Sequence, residues 1–151
     1  MTGDLTPTEI ESVLKHNFLG RIGCHADGRT YVVPVGYAFD GESILSYAAD
    51  GLKVSMMRSN PEVCFEVDHY SSLTNWRSVI CWGRFEELAG AAADQAKRVL
   101  MDRFSELSLS ESNRLTFGQR EVLASAKAGH PKIEVIYRIR LTERTGRYEL
   151  V

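Results

Sequence analysis

The chain has 151 residues, 44% hydrophobic and 25% charged, which suits one folded domain over residues 1–151 and argues against disorder. Its formal net charge is −2 at pH 7 and its Lys and Arg residues are dispersed, so nucleic acid is not an expected partner. No apolar run approaches the roughly 20 residues of a membrane span and residues 1–4 do not resemble a secretory signal, which predicts a cytoplasmic location without a membrane partner.

The first predicted element is a helix that begins after Thr6. The sequence TPTE at 6–9 combines a favourable N-cap, a proline at the first helical position and a glutamate that completes a capping box. An apolar stripe follows at helical spacing: Ile10, Val13 and Leu14. We expect this helix to pack on the outside of a sheet.

Antiparallel strands are predicted next, near residues 18–26, 30–39 and 42–49. The dipeptides Asp27-Gly28 and Asp40-Gly41 separate them and favour the positive φ angles of tight hairpins. Pro34 lies within the middle strand, where it removes a backbone donor. That strand is therefore expected at a sheet edge or at a bulge.

A short helix is predicted at 51–60, where it stops against Pro61. We expect it to be a connector rather than a core helix. The stretch 62–68 then alternates apolar with acidic side chains, which is the period of a half-buried strand.

The next predicted strand, 76–88, is apolar on both faces. Ser78, Ile80 and Trp82 share one face, and an apolar set occupies the other: Val79, Cys81 and Phe85. The flanking segments are too short and polar to cover a second face. A partner subunit is the simplest cover, so the sequence predicts a homodimer.

A second amphipathic helix is predicted at about 91–104, and the stretch 105–129 receives no assignment. Residues 132–141 alternate strictly and predict a strand that closes the sheet. The whole pattern predicts a mainly β fold: an antiparallel barrel with flanking helices.

Residues suited to binding a phosphate lie where the third hairpin strand meets the short helix. Ser46 offers a hydroxyl, and Lys53 offers a positive charge in the first helical turn. In the neighbouring strand, Pro34 and Gly36 leave room for a flat ligand, although a simple bulge also explains that segment. Cysteine and histidine residues show no ligand spacing, so no metal site is predicted.

Short strings in a fixed order lie between residues 19 and 86: LGRIG at 19–23, VPV at 33–35, ILSY at 44–47, GLK at 51–53, NPEVCF at 60–65, WRSV at 76–79 and WGRFE at 82–86. Together they resemble the pyridoxamine 5'-phosphate oxidase-like superfamily of FMN-binding split barrels, especially its small nitroimidazole-resistance-type members. The order and spacing of the strings carry the resemblance, because each string alone is short.

The resemblance implies a homodimeric split barrel that holds FMN between two subunits. It implies cofactor contacts by Val33, Pro34, Val35, Gly36 and Tyr37 along the flavin ring, by Ser46, Tyr47 and Lys53 at the phosphate, and by Trp76 and Ser78 on the long strand. As an aromatic cover for the ring, Trp76 is ranked above Trp82, and interface packing explains either equally well. No catalytic side chain is identified.

Departures from the superfamily pattern narrow the function. The arginine-rich C-terminal segment with which pyridoxamine phosphate oxidases grip their substrate is absent, and Tyr47 stands near the histidine of nitroimidazole-reducing relatives. We expect an FMN-dependent oxidoreductase that acts on a small-molecule substrate, with NAD(P)H as a candidate electron donor. Two alternatives stay open: a reductase that uses F420, whose tail Arg58 would contact, and a non-enzymatic flavin-binding or storage protein.

Overall fold

The computed structural model describes residues 1–110 and 135–151. Its helices are α1 (Pro7–His16), α2 (Leu52–Ser59) and α3 (Gly90–Ser110). Its strands are β1 (Thr2–Asp4), β2 (Leu19–Ala26), β3 (Arg29–Gly36), β4 (Ala38–Phe39), β5 (Ser43–Ala48), β6 (Glu62–Ser72), β7 (Asn75–Glu87) and β8 (Val135–Leu150). Part of the unassigned stretch, 111–129, and the predicted strand start at 132–134 lie outside the described residues.

The predicted start of α1 is confirmed. The backbone N–H of Thr6 donates to Glu9 Oε2 at 2.8 Å, and the backbone N–H of Glu9 donates to Thr6 Oγ1 at 3.2 Å. Each residue thus satisfies a backbone donor that the helix itself leaves unpaired. The predicted stripe is buried: Ile10, Val13 and Leu14.

The first hairpin turns as predicted, because Asp27 and Gly28 have φ angles of 53° and 74°. The sheet order is β3-β2-β6-β7-β8-β5-β4, with β1 paired to β8. Strand β3, which contains Pro34, is therefore an edge strand, as the missing backbone donor predicts. Strand β3, at one end of this order, approaches β5, which is second from the other end, where the Ser46 hydroxyl donates to the Gly36 carbonyl. The curved sheet is therefore consistent with a split barrel.

Two strands are longer than their apolar patterns predict. Strand β6 continues to Ser72, and β8, predicted to end at residue 141, continues to Leu150. In the extension of β8 the outward side chains are polar, and Thr145 and Arg147 are exposed. Hydrogen bonding to β7 sustains the strand there without an apolar alternation, so the pattern alone misses it. Strand β1, which pairs with this extension, was not predicted.

The main core fills the barrel with side chains that are fully buried, such as Ile22, Phe65, Val79 and Ile139. Helix α2 contributes Val54 and Met57, which are both 0% exposed. The prediction that α2 is only a connector is therefore wrong, because its apolar face joins the barrel core.

Helix α3 forms a second apolar cluster outside the barrel. Leu100 and Phe104 pack against Leu45 and Ala38 of the strands beneath them. The result is a mainly β antiparallel fold with flanking helices. No helix within residues 1–110 or 135–151 is long and apolar enough to cross a membrane.

Candidate functional site

The barrel has a seam between edge strand β3 and strand β5. Strand β4 pairs with β5 only through Ala38 and Phe39, so the later residues of β5 face β3 without a ladder in the described sheet. One side-chain hydrogen bond crosses this seam: Ser46 Oγ donates to the Gly36 carbonyl at 2.7 Å. A seam of this kind leaves backbone groups of an edge strand available to a ligand.

Helix α2 starts beside this seam with features that favour an anion. Its N-cap is Gly51, no side chain caps the helix, and no acidic residue lies in its first turn. Lys53 is half-buried in that turn and forms no salt bridge with any residue in the described ranges. Burial lowers the pKa of Lys53, and the nearby Cys24 thiol of β2 opposes that shift. Free backbone donors and a cation without a salt bridge in the described ranges are groups that attract an anion.

Ser46 and Tyr47 do not join Lys53 at this site. Ser46 is 1% exposed, and its hydroxyl is committed to the Gly36 carbonyl. The ring of Tyr47 packs edge-on against Phe104 of α3, with 6.0 Å between ring centroids. Successive β5 residues point to opposite faces, and both faces are covered. The structure therefore gives both side chains partners within the fold, and their predicted roles at a phosphate stay predictions.

Residues 33–37 differ in burial, because some lie at the sheet edge and others lie in the core. Val33 is half-buried and Pro34 is exposed, whereas Val35 is buried. Tyr37 is 0% exposed, and its hydroxyl donates to the Leu14 carbonyl at 2.8 Å. The side chain of Tyr37 therefore ties the end of β3 to α1, and the accessible part of this segment is around Val33 and Pro34.

A groove of about 550 Å³ lies on the outer face of the sheet. Strand register places Val32, Gly23, Cys64 and Trp82 side by side across four strands. A Cβ atom on Gly23 would lie 2.7 Å from Cys64 Sγ, so glycine keeps the floor of the groove free. The rest of the lining includes polar residues: His25, Thr30, Glu62, Arg84 and Thr142.

Trp76 and Ser78 lie elsewhere on the same face. Trp76 Nε1 donates to Glu149 Oε2 at 3.0 Å, and its ring stacks on Tyr70 with 5.8 Å between centroids. Trp76 and Trp82 are six positions apart in β7, which corresponds to about 20 Å along an extended strand. Ser78 stands between Asp68 and Arg147 in the register. Trp82 therefore lines the groove and Trp76 does not, whereas the ranking of the two as a cover for a flavin ring stays a prediction.

A charged cluster borders the groove face. Glu66 lies opposite Arg21 in the register, and Arg21 Nη1 is 3.7 Å from Asp68 Oδ1. Burial raises the pKa of Glu66 to about 7, assisted by a hydrogen bond and by repulsion from Asp68 and opposed by Arg21. At neutral pH this cluster therefore exchanges a proton.

Sequence reasoning missed Gly23 and Cys64 as groove residues. The alternation in β2 and β6 assigns Cys64 and Gly23 to the outward faces, so the parity of each strand was available as a signal. The sequence pattern did not show which strands are neighbours, because the pairing of β2 with β6 joins segments that are distant in the chain. In residues 1–110 and 135–151, no group of three His, Cys, Asp or Glu side chains is arranged to hold a metal ion.

A mainly β antiparallel sheet with flanking helices is consistent with the split-barrel class. The chain belongs to the pyridoxamine 5'-phosphate oxidase family, whose model matches residues 6–148. This confirms the resemblance found in the sequence and extends it to almost the whole chain.

Similar structures cover the full length of the chain. A FAD-binding protein from Mesorhizobium loti is 28% identical, with a TM-score of 0.75 over 100% of this chain and 98% of that chain. A FAD-binding protein from Mycobacterium smegmatis is 20% identical, with a TM-score of 0.63 over 99% and 100% of the two chains. A proposed 5-nitroimidazole antibiotic resistance protein from Bacteroides thetaiotaomicron is 16% identical, with a TM-score of 0.68 over 98% and 87%.

A relative in sequence is an uncharacterised protein of Rhizobium meliloti, 32% identical over 91 residues. The match spans 60% of this chain and 60% of that protein. The solved structures below 25% identity establish a common fold.

Proposed function

We propose that this chain binds a flavin nucleotide, FMN, and is an oxidoreductase that passes electrons through the flavin to a small-molecule acceptor. The observation that carries the proposal is the uncapped start of α2, where half-buried Lys53 has no salt bridge within the described residues. A terminal phosphate supplies the negative charge that this arrangement lacks. The FAD-binding protein of Mesorhizobium loti, which aligns over the whole chain, supports a flavin as the ligand.

Two parts of the chain would hold the cofactor. The Lys53 amine and the free N–H groups of the first turn of α2 would bind the phosphate. The exposed edge of β3, around Val33 and Pro34, would contact the flavin ring through its backbone. The flavin itself supplies hydride and electron transfer when bound, so the protein's task is binding, orientation and exclusion of water.

FAD is the second candidate cofactor, because two of the similar structures are described as FAD-binding. F420 remains the third candidate. Its tail was expected at Arg58, but that guanidinium already donates to Asp50 and Glu87 at 2.7 to 3.1 Å. Mass spectrometry of the cofactor released from purified protein would distinguish FMN from FAD.

We also propose that the protein is a homodimer in which a second copy covers the outer face of the sheet. Val32 is 64% exposed on this face, and Ile80 and Trp82 are each 40% exposed. Register places these apolar side chains on one face of the sheet, on β3 and β7, with β2 and β6 between them. Large exposed apolar residues in one patch favour association.

The direct test is a titration of the full chain with FMN, followed by flavin fluorescence. Lys53→Ala is expected to weaken FMN binding about tenfold or more, since it removes the cation that faces the phosphate. Lys97→Ala, an exposed lysine on α3, is the matched control and should bind FMN like the wild type. Equal affinity in the two variants would remove Lys53 from the site.

The oxidoreductase part needs a second measurement. The visible spectrum of the flavin-loaded protein should bleach when NADPH is added and recover with an electron acceptor. A yellow protein that no nicotinamide donor reduces would point instead to flavin binding or storage.

A further inference from the structure

Arg58 joins three segments around the start of α2. It lies in the last turn of α2, and its Nη1 donates to both carboxylate oxygens of Asp50 at 2.9 and 3.1 Å. Its Nε and Nη2 donate to the two carboxylate oxygens of Glu87 at 3.0 and 2.7 Å. Asp50 directly precedes the N-cap Gly51, and Glu87 is the last residue of β7. One guanidinium therefore ties the loop before α2 to the end of a central strand.

Asp50 is unfavourably placed for a site that binds an anion. A carboxylate one residue before an uncapped helix competes with an incoming phosphate for the positive end of the helix dipole, and it repels a dianion. Both oxygens of Asp50 instead accept hydrogen bonds from Arg58. The pairing offsets the charge of Asp50 and directs its side chain to the guanidinium.

Glu87 fixes the position of the arginine. Both of its oxygens bind Arg58, and the hydrogen bonds from Arg58 lower the pKa of Glu87, so this carboxylate is charged at neutral pH. Paired contacts to two carboxylates hold the planar guanidinium in one orientation. The side chains of all three residues are still about two-fifths exposed or more, so the network adds little to folding stability.

We propose that Arg58 is a positioning residue for phosphate recognition: it holds the Asp50 carboxylate away from the anion position at the start of α2 and fixes the loop that leads into Lys53. This inference rests on the proposed function of that site. Replacing Arg58 should change the affinity for the ligand rather than the folding stability, and that affinity should depend on ionic strength.

The test uses FMN titrations of the full chain at low and high ionic strength. Arg58→Gln should weaken FMN binding about tenfold at low ionic strength and less at high ionic strength, because salt screens the uncovered Asp50. Asp50→Asn alone should not weaken binding. The double variant Arg58→Gln with Asp50→Asn should return to within about threefold of wild type, since the repelling charge is gone.

Arg140→Gln is the matched control. Arg140 Nε donates to Glu86 at 2.9 Å, so this change also breaks an exposed arginine–glutamate pair, on a carboxylate next to Glu87 in the sequence. The control should bind FMN within about twofold of wild type.

The outcomes separate the inference from the function on which it rests. If the wild type binds FMN through Lys53 and Arg58→Gln binds it equally well, this inference alone is overturned. It is also overturned if Asp50→Asn restores nothing to Arg58→Gln, because Arg58 would then act only on the structure. A wild type that binds no FMN overturns the proposed function and the inference together.

Should Arg58→Gln fail to fold, Arg58→Lys replaces it. Lysine keeps the charge and loses the paired geometry. If Arg58→Lys lowers the FMN affinity and adding Asp50→Asn restores that affinity, the proposal is supported. If adding Asp50→Asn leaves the FMN affinity of Arg58→Lys unchanged, the proposal is overturned.

Discussion

Burial decides which polar side chains of this protein are available to a ligand. Ser46 and Lys53 both have residue types that bind phosphate, but Ser46 is 1% exposed and bonded internally, whereas Lys53 is half-buried at a helix start. A buried hydroxyl must find a partner inside the fold, and for Ser46 that partner is the Gly36 carbonyl. The proposed anion site therefore depends on Lys53 and backbone donors rather than on a cluster of side chains.

Glu66 gives a prediction at the residue scale. Burial raises its pKa to about 7, so the folded protein holds this proton at a pH where the unfolded chain, with an ordinary value of 4.5, has lost it. Stability therefore falls as the pH rises through that window. Glu66→Gln stays uncharged, and its melting temperature should exceed that of the wild type at about pH 8, with the difference narrowing toward about pH 5.

The measurement is thermal unfolding followed by circular dichroism at both pH values. Glu62→Gln is the control, because Glu62 is exposed on the same face of β6. If the difference in melting temperature between Glu66→Gln and the wild type is the same at both pH values, that result contradicts the raised pKa of Glu66.

At the scale of elements, local signals place the helices well. A capping box marks the start of helix α1, and α2 ends before Pro61. The role of α2 was harder to foresee, because Val54 and Met57 are only two apolar positions in a short segment. Their burial depends on packing against the barrel core, and the local sequence of α2 does not specify that packing.

The capping box of α1 gives the prediction at this scale. Thr6→Ala removes the side-chain acceptor for the Glu9 backbone N–H and should lower the free energy of unfolding by about 1 kcal/mol. Urea denaturation measures this change. Thr8→Ala, an exposed residue in the same first turn, is the control and should have a smaller effect. Equal losses in the two variants would show that the capping bond contributes nothing.

At the scale of the whole molecule, the outer sheet face is the feature on which the proposed homodimer depends. An apolar strand face that no described segment of the chain covers fits the proposed homodimer, and the groove beside Trp82 lies on that face. If a second copy covers it, residues from both chains would surround the bound flavin. Dimerisation and cofactor affinity would then be coupled by mass action.

Trp82→Asp tests this coupling. A charge in the centre of the face should convert the dimer to a monomer in analytical ultracentrifugation and weaken FMN binding at the same time. Leu73→Asp is the control, because Leu73 is 87% exposed in the turn between β6 and β7 and is absent from the groove lining. A wild-type protein that sediments as a monomer would remove the homodimer from the proposal.

The sequence by itself determined the order and type of most elements, the position of the Pro34 strand at an edge or a bulge, and the resemblance to the family. Those features depend on local chemistry: a capping box, glycine turns, a proline that lacks a donor, and alternation along each strand. Only the tertiary structure decided which candidate side chains meet. It separated Ser46 and Tyr47 from Lys53, brought Trp82 rather than Trp76 to the groove, and paired Arg58 with Asp50 and Glu87. The reason is that strand pairing and helix docking join residues far apart in the chain, and local periodicity does not specify those distances.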